Sequence, residues 1–180
     1  QSCEVLHASV GNRLLTLRSL VDELSRPDRI PQIEVAVGDD SVALVIRHLT
    51  ELTDADHARL ARFASDEDVE IYLQAGGPET SEPLDGAGML SYGLPKHDIS
   101  IDFLPTDFTQ VNPVLNREMV DLVVELLEPD ADARVLDLFC GLGNFTLPLA
   151  RRSKRVLGFE GSDALVRRAT ENAAKNGISN

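Results

Sequence analysis

Cysteine is scarce: Cys3 and Cys140 are the only two in 180 residues. With no secretion signal, that scarcity leaves no basis for a disulfide framework, and a reducing cytosol is the expected compartment. Cations are also short. Seventeen Lys and Arg against 30 Asp and Glu give a net charge of −13. A strong grip on nucleic-acid phosphates needs clustered Lys and Arg, so these residues alone are not expected to provide it. The one basic cluster, Arg151, Arg152, Lys154 and Arg155, reads as a solvated helix end with cations near its C-terminus. No apolar run approaches the roughly 20 residues that span a bilayer, so no membrane partner is expected. The start, Gln1-Ser2-Cys3-Glu4, lacks Met and lacks a basic-then-apolar leader, and reads as a cut chain. His48, His57 and His97 are scattered, with no metal-site spacing. No internal repeat or low-complexity tract stands out.

What is present begins with an amphipathic helical pattern over Val5 to Leu24, ended by Arg26-Pro27-Asp28. Alternation over Ile33 to Val37, a Gly38-Asp39-Asp40 turn and an apolar run over Val42 to Ile46 predict a hairpin. Thr53 or Asp54 is placed to cap a helix over 55 to 65. Val69 to Leu73 reads as a short strand. Glycines and prolines over 74 to 88 predict a loop or frayed hairpin. Leu90 to Tyr92 and Ile99 to Leu104 are expected to pair. Residues 1–106 thus read as a small central α/β domain with antiparallel hairpins, and no catalytic constellation appears in it.

The pattern then changes to helix (Asn116 to Leu127), strand (Val135 to Phe139), helix (Asn144 to Ala150), strand (Arg155 to Phe159) and helix (Ser162 or Asp163 to Asn176, stopped by Gly177). Both strands are of the apolar-on-both-faces type that a parallel sheet buries. Residues 107–180 therefore read as the truncated first half of a Rossmann-like, doubly wound domain, an α/β class overall. The expectation is a fragment of a longer protein, with an unpaired edge at 155 to 159 open to self-association.

Between the first strand and its helix lies Gly141-Leu142-Gly143. Glycines there let a ligand approach the backbone. Glu160, at the tip of the second strand, is placed to accept hydrogen bonds from ribose hydroxyls. A dinucleotide fingerprint needs a small residue at its sixth position, where this chain has Thr146. Asp137, at the end of the first strand, would repel a pyrophosphate but suits a cationic ligand. The electrostatics therefore favour S-adenosylmethionine over NAD. Cys140 lies in the turn with no nearby base and reads as a packing residue.

The motifs "DFTQVN" (107–112), "DLFCGLGNFTLPLA" (137–150) and "VLGFEG" (156–161), in this order, closely resemble the S-adenosylmethionine-dependent RNA uracil-5 methyltransferases. The likeness is greatest to the branch acting on 23S ribosomal RNA, with the transfer-RNA branch the near relative. It is strongest over 107 to 177 and looser upstream. The resemblance implies that Gln110 contacts the cofactor, that Phe139, Gly141, Gly143 and Asn144 shape its surroundings, and that Glu160 holds the ribose.

The resemblance also implies that Cys3 stands where the family has the distant ligand of a four-cysteine 4Fe-4S cluster. Its three partners are absent, so Cys3 is expected as an orphan, with no cluster in this chain. The family reaction adds a cysteine thiolate to carbon 6 of uracil, so that carbon 5 can take the methyl group; a base then removes the carbon-5 proton and the cysteine is eliminated. Neither Cys3 nor Cys140 matches that nucleophile. No catalytic residue is expected before Asn180, and the fragment is expected to be inactive. The alternatives are a transfer-RNA uracil-5 enzyme, another methyltransferase, or a module that uses residues 1 to 105 to bind RNA or protein.

Overall fold

The computed structural model describes residues 7–86 and 88–180; Cys3, with the ligand role expected of it, lies outside them. The fold is α/β, in two compact units. The first runs to Leu90 and includes Leu104–Thr106; the second holds Ser91–Phe103 and Asp107–Asn180. The paired strands near 90 to 104, assigned from sequence to the central domain, thus fall almost wholly in the second unit. Among the described residues no helix is long and apolar enough to cross a membrane.

In the first unit the helix expected over Val5 to Leu24 is broken. Helix α1 (Ala8–Gly11) and helix α2 (Leu14–Asp22) are separated at Asn12 and Arg13. Gly11 and Asn12 are weak helix formers and sit at the break. Leu17 and Leu20 of α2 still fall on one stripe and are buried. Strands β1 (Gln32–Val37) and β2 (Val42–Arg47) form the expected antiparallel hairpin, with Val35 opposite Leu44. Its turn is closed by the Gly38 amide donating to the Ser41 carbonyl at 2.8 Å.

Helix α3 (Asp54–Glu67) starts at a reciprocal cap. The Thr53 hydroxyl accepts from the Asp56 amide, and the Asp56 carboxylate accepts from the Thr53 amide. It carries the chain over to β3 (Glu70–Gln74), which pairs parallel to β2 with Leu44 opposite Ile71. The sequence left the partner of this strand open. A 14-residue helix between two strands makes a crossover, and a crossover returns the chain in the same direction. The segment expected as a loop or frayed hairpin contributes β4 (Ser81–Pro83), antiparallel on β3. The sheet order is β1-β2-β3-β4. Leu20, Leu24, Ile46, Leu60 and Ile71 form one core cluster on it, and Val10, Leu17 and Leu44 another.

Asp56 is 1% exposed. Burial opposes its charge. Hydrogen bonds from the Ser25 hydroxyl (2.6 Å), the Ser25 amide (2.8 Å) and the Thr53 amide and hydroxyl outweigh that penalty. They hold the carboxyl well below the usual carboxylate range. The same carboxylate therefore caps α3 and ties the end of α2 to it.

In the second unit β5 (Leu90–Leu94) pairs with β6 (Ile99–Phe103). Helix α4 (Pro113–Leu127) starts with Pro113 at its first turn and the Asn112 side chain accepting from the Leu115 amide at 3.0 Å. Strand β7 (Arg134–Leu138), helix α5 (Thr146–Ala150), strand β8 (Arg155–Phe159) and helix α6 (Asp163–Lys175) follow. Strands β7 and β8 are parallel, with Val135 opposite Val156 and Leu138 opposite Phe159.

Burial on both faces is not what these two strands show. Leu136, Leu138, Leu157 and Phe159 are 57, 59, 48 and 54% exposed. Side chains alternate across a sheet, and Val135 and Val156, on the opposite face, are half-buried where α5 packs on β8. The other face has no comparable cover among the described residues.

The free edge of β6 is satisfied in an unusual way. The Asn172 carboxamide accepts from the Asp102 amide (2.8 Å) and donates to the Asp102 carbonyl (3.0 Å). One turn on, Asn176 does the same with Ser100, at 2.9 and 2.7 Å. Two side chains of α6 thus act as a neighbouring strand would. The same helix holds the Asp107 carboxylate through Arg168 at 2.6 Å, a pair only 10 and 13% exposed.

Candidate cofactor site

The turn after β7 is held in left-handed backbone. Phe139, Gly141 and Gly143 have φ of 64°, 54° and 95°. For the glycines this costs little. At Gly143 a Cβ would also come within 2.9 Å of Leu147 Cγ, so any side chain there pushes on the first turn of α5. Phe139 accepts the same conformation with a side chain, and its ring is 88% exposed. The strand ladder continues one residue further, with the Cys140 amide donating to the Phe159 carbonyl at 3.0 Å.

Glu160 closes the turn from the tip of β8. Its Oε2 accepts from the Gly141 amide at 3.1 Å. Its Oε1 accepts from Gly161 and Ser162 amides at 2.7 and 3.1 Å. A carboxylate offers about four acceptor positions, so one on Oε2 is left for a further donor. Asp137 accepts from the Thr146 hydroxyl at 2.5 Å. Cys140 lies beside both acids. Burial first, then the Asp137 and Glu160 charges, push its thiol above the ordinary range, so it is neutral near pH 7. It packs where a Cβ on Gly158 would come within 2.8 Å of its sulfur. That geometry suits a packing residue and not a thiolate.

Asn144 is joined to two residues that sequence reasoning missed. Its carboxamide pairs reciprocally with Asn116 of α4, at 2.9 and 3.1 Å, and its Oδ1 also accepts from the Tyr92 hydroxyl at 3.0 Å. Asn116 had a legible signal. It lies on the apolar stripe with Val120 and Val124, and all three are buried. Tyr92 had none. On the other side of the turn, Asn172 donates to the Leu142 carbonyl at 3.4 Å.

The expected residues are thus only partly drawn together. Gly141 and Glu160 are hydrogen-bonded, and Asp137 and Cys140 border them. Gln110 is exposed on the segment anchored at Asp107, with no hydrogen bond to the turn. The donor set fits a nucleoside-bearing cation. Two carboxylates flank a backbone turn; Asp137 would repel a pyrophosphate, whereas an acid placed like Glu160 serves a ribose in either class of cofactor. Of the histidines, His48 and His57 line one groove of about 410 Å³ in the first unit, with Glu51 and Glu82. His97 pairs with Asp121 at 3.0 Å. No group of three or more metal-ligating side chains occurs among the described residues.

Known proteins resemble this chain in sequence and fold. The family model for tRNA (uracil-5-)-methyltransferase matches residues 93–180. A 23S rRNA (uracil(1939)-C(5))-methyltransferase RlmD of Aromatoleum aromaticum is 50% identical over 99% of this chain and 42% of its own length. The protein of the same name in Alkalilimnicola ehrlichii is 53% identical over 99% of this chain and 40% of its own. The chain therefore spans about two fifths of the length of these curated relatives. Among solved structures, a Pyrococcus abyssi tRNA (uracil-54, C5)-methyltransferase, determined with S-adenosyl-L-homocysteine, shares the fold. Its TM-score is 0.60 at 20% identity, over 81% of this chain and 36% of that one. By sequence, the chain is similar to the RNA uracil-5 methyltransferases.

Proposed function

We propose that this chain is the cofactor-holding portion of an enzyme that methylates carbon 5 of a uracil in 23S ribosomal RNA. The observation that carries the reading is the turn itself, with Gly141 bound to Glu160 and Asp137 beside it. S-adenosylmethionine, when bound, supplies an electrophilic methyl group on a sulfonium. The free acceptor position of Glu160 is available to a ribose hydroxyl, with its carboxylate already oriented by three amides. Asp137 and Glu160 make the surroundings negative, which favours a positive ligand. Phe139 offers an exposed ring, and Gln110 an exposed amide, to the rest of the molecule. Cys140 is held as a neutral thiol and is not suited to attack uracil. The chain on its own is therefore expected not to methylate RNA.

Two cysteines are too few for a four-cysteine cluster, so no step is assigned to one. The RNA partner follows from the names of the relatives. The net charge of −13 gives this chain little of the phosphate grip. A ribosomal substrate makes the cytoplasm the working compartment.

Calorimetric titration with S-adenosylhomocysteine, with NAD in parallel, tests the reading. Saturable binding that Glu160→Ala abolishes, with none for NAD, is expected. Binding of NAD, or equal binding by Glu160→Ala, refutes it. Choice of RNA is tested separately, by restoring the remaining length found in the relatives and offering ribosomal and transfer-RNA transcripts.

A further inference from the structure

Asn144 has a fixed hydrogen-bond ledger. A carboxamide offers two N–H donors and an oxygen that accepts two bonds. Asn116 Nδ2 and the Tyr92 hydroxyl together fill the Asn144 oxygen, at 3.1 and 3.0 Å. Asn116 Oδ1 takes one of the two N–H groups at 2.9 Å. One N–H is left. Asn116 is 4% exposed and cannot turn to water for other partners. Burial drives the Tyr92 phenol far above its ordinary value, so its proton stays available to donate. Asn144 and Tyr92 are both partly buried, and the Tyr92 hydroxyl is already spent on Asn144, so the remaining Asn144 N–H is the donor left on the open side of the trio.

We propose that Tyr92 and Asn116 are positioning residues that saturate the Asn144 carbonyl, so that this side of the glycine turn offers its ligand a single carboxamide N–H and selects an acceptor atom. The inference rests on the cofactor reading above and deepens it. The acceptor is one that both the nucleoside and the carboxylate of the cofactor possess. Freed from Tyr92 and Asn116, the carboxamide of Asn144 can flip and present oxygen instead, which an acceptor on the ligand opposes.

The test is run on the 180-residue chain. Asn144→Asp keeps an oxygen for Asn116 and Tyr92 but has no N–H to give, and about tenfold weaker binding of S-adenosylhomocysteine is expected. The same loss with 5′-methylthioadenosine assigns the acceptor to the nucleoside. A loss confined to S-adenosylhomocysteine assigns it to the carboxylate. No loss with either ligand overturns the proposal.

Asn116→Asp separates positioning from bulk stability by pH. Its buried carboxyl can donate to Asn144 only while protonated, and burial raises its pKa. Affinity is therefore expected to be restored at pH 5 and lost at pH 8, relative to the wild type at each pH. A profile parallel to the wild type also overturns the proposal. If the wild type binds neither ligand, the cofactor reading fails by itself. The brace is then judged on the free chain by amide exchange at Gly143 and Asn144. Faster exchange in Tyr92→Phe, with unchanged exchange in the first unit, upholds the brace, and unchanged exchange at both amides removes it.

Discussion

Strands β2 and β7 are built from similar residues and meet different fates. Val42-Ala43-Leu44-Val45-Ile46-Arg47 is buried at four consecutive positions. Arg134-Val135-Leu136-Asp137-Leu138 has none buried. Strand β2 lies inside a four-stranded sheet with α2 and α3 on one face, and its other face is covered as well. Among the described residues, strand β7 has a single partner strand and packing on one face. An apolar strand records what a sheet can bury, and the neighbours decide what it does bury.

The largest difference between the two should appear on truncation. Ile46→Ala, in a filled core, is expected to cost about 3 kcal/mol in chemical denaturation. Leu138→Ala, at 59% exposure, should change stability by less than about 0.5 kcal/mol. Comparable losses at the two sites would mean that the face of β7 is covered in solution.

Next in size is the carboxylate that closes the first unit. Asp56→Ala removes a buried acceptor of four hydrogen bonds and is expected to cost about 2 kcal/mol or more. The sign with pH follows from its lowered folded-state pKa. The stabilisation is present above the unfolded value of about 3.9 and is lost as pH falls towards the folded value. Acid titration of Asp56→Asn should therefore flatten the loss of stability below about pH 4, and an unchanged profile would remove Asp56 from that role.

Gly143→Ala is expected to cost about 1 to 2 kcal/mol, from left-handed backbone and from contact with Leu147. Gly141→Ala, with open space around its Cβ, should cost only the backbone part. Equal costs would show that Leu147 yields freely. The smallest effect on stability is expected from Leu157→Lys, which places a charge on the exposed face of β8. Little change in melting temperature, with reduced self-association in sedimentation, would mark that face as sticky and not structural.

Much of this was legible in the residues. Helices α3, α4 and α6 followed from capping residues and periodicity, and the β1–β2 hairpin from its turn. The turn-forming glycines and Glu160 were legible because strand, glycines and acid fall at fixed intervals. Three things were not. The parallel β2–β3 pairing depends on which strands meet, which periodicity does not encode. The exposure of β7 and β8 depends on neighbours, not on their own residues. The Tyr92–Asn116–Asn144 trio joins residues far apart in the chain, and a tyrosine on a short strand carries no mark of its partner.

The carboxamides that stand in for a strand beside β6 also bear on how the molecule ages. Asn176 is followed by Gly177, the pairing in which a glycine amide most easily attacks the preceding side chain to form a succinimide. Here the carboxamide is held by Ser100 and by the Asn172 carbonyl, and the Gly177 amide is committed to the Ala174 carbonyl at 3.0 Å. Cyclisation must wait until the end of α6 opens. Once it occurs, the aspartate or isoaspartate left behind has no N–H for the Ser100 carbonyl, and the helix end cannot dock as before. Deamidation at this one peptide bond, followed by mass spectrometry, would thus act as a slow clock that counts openings of α6 from β6.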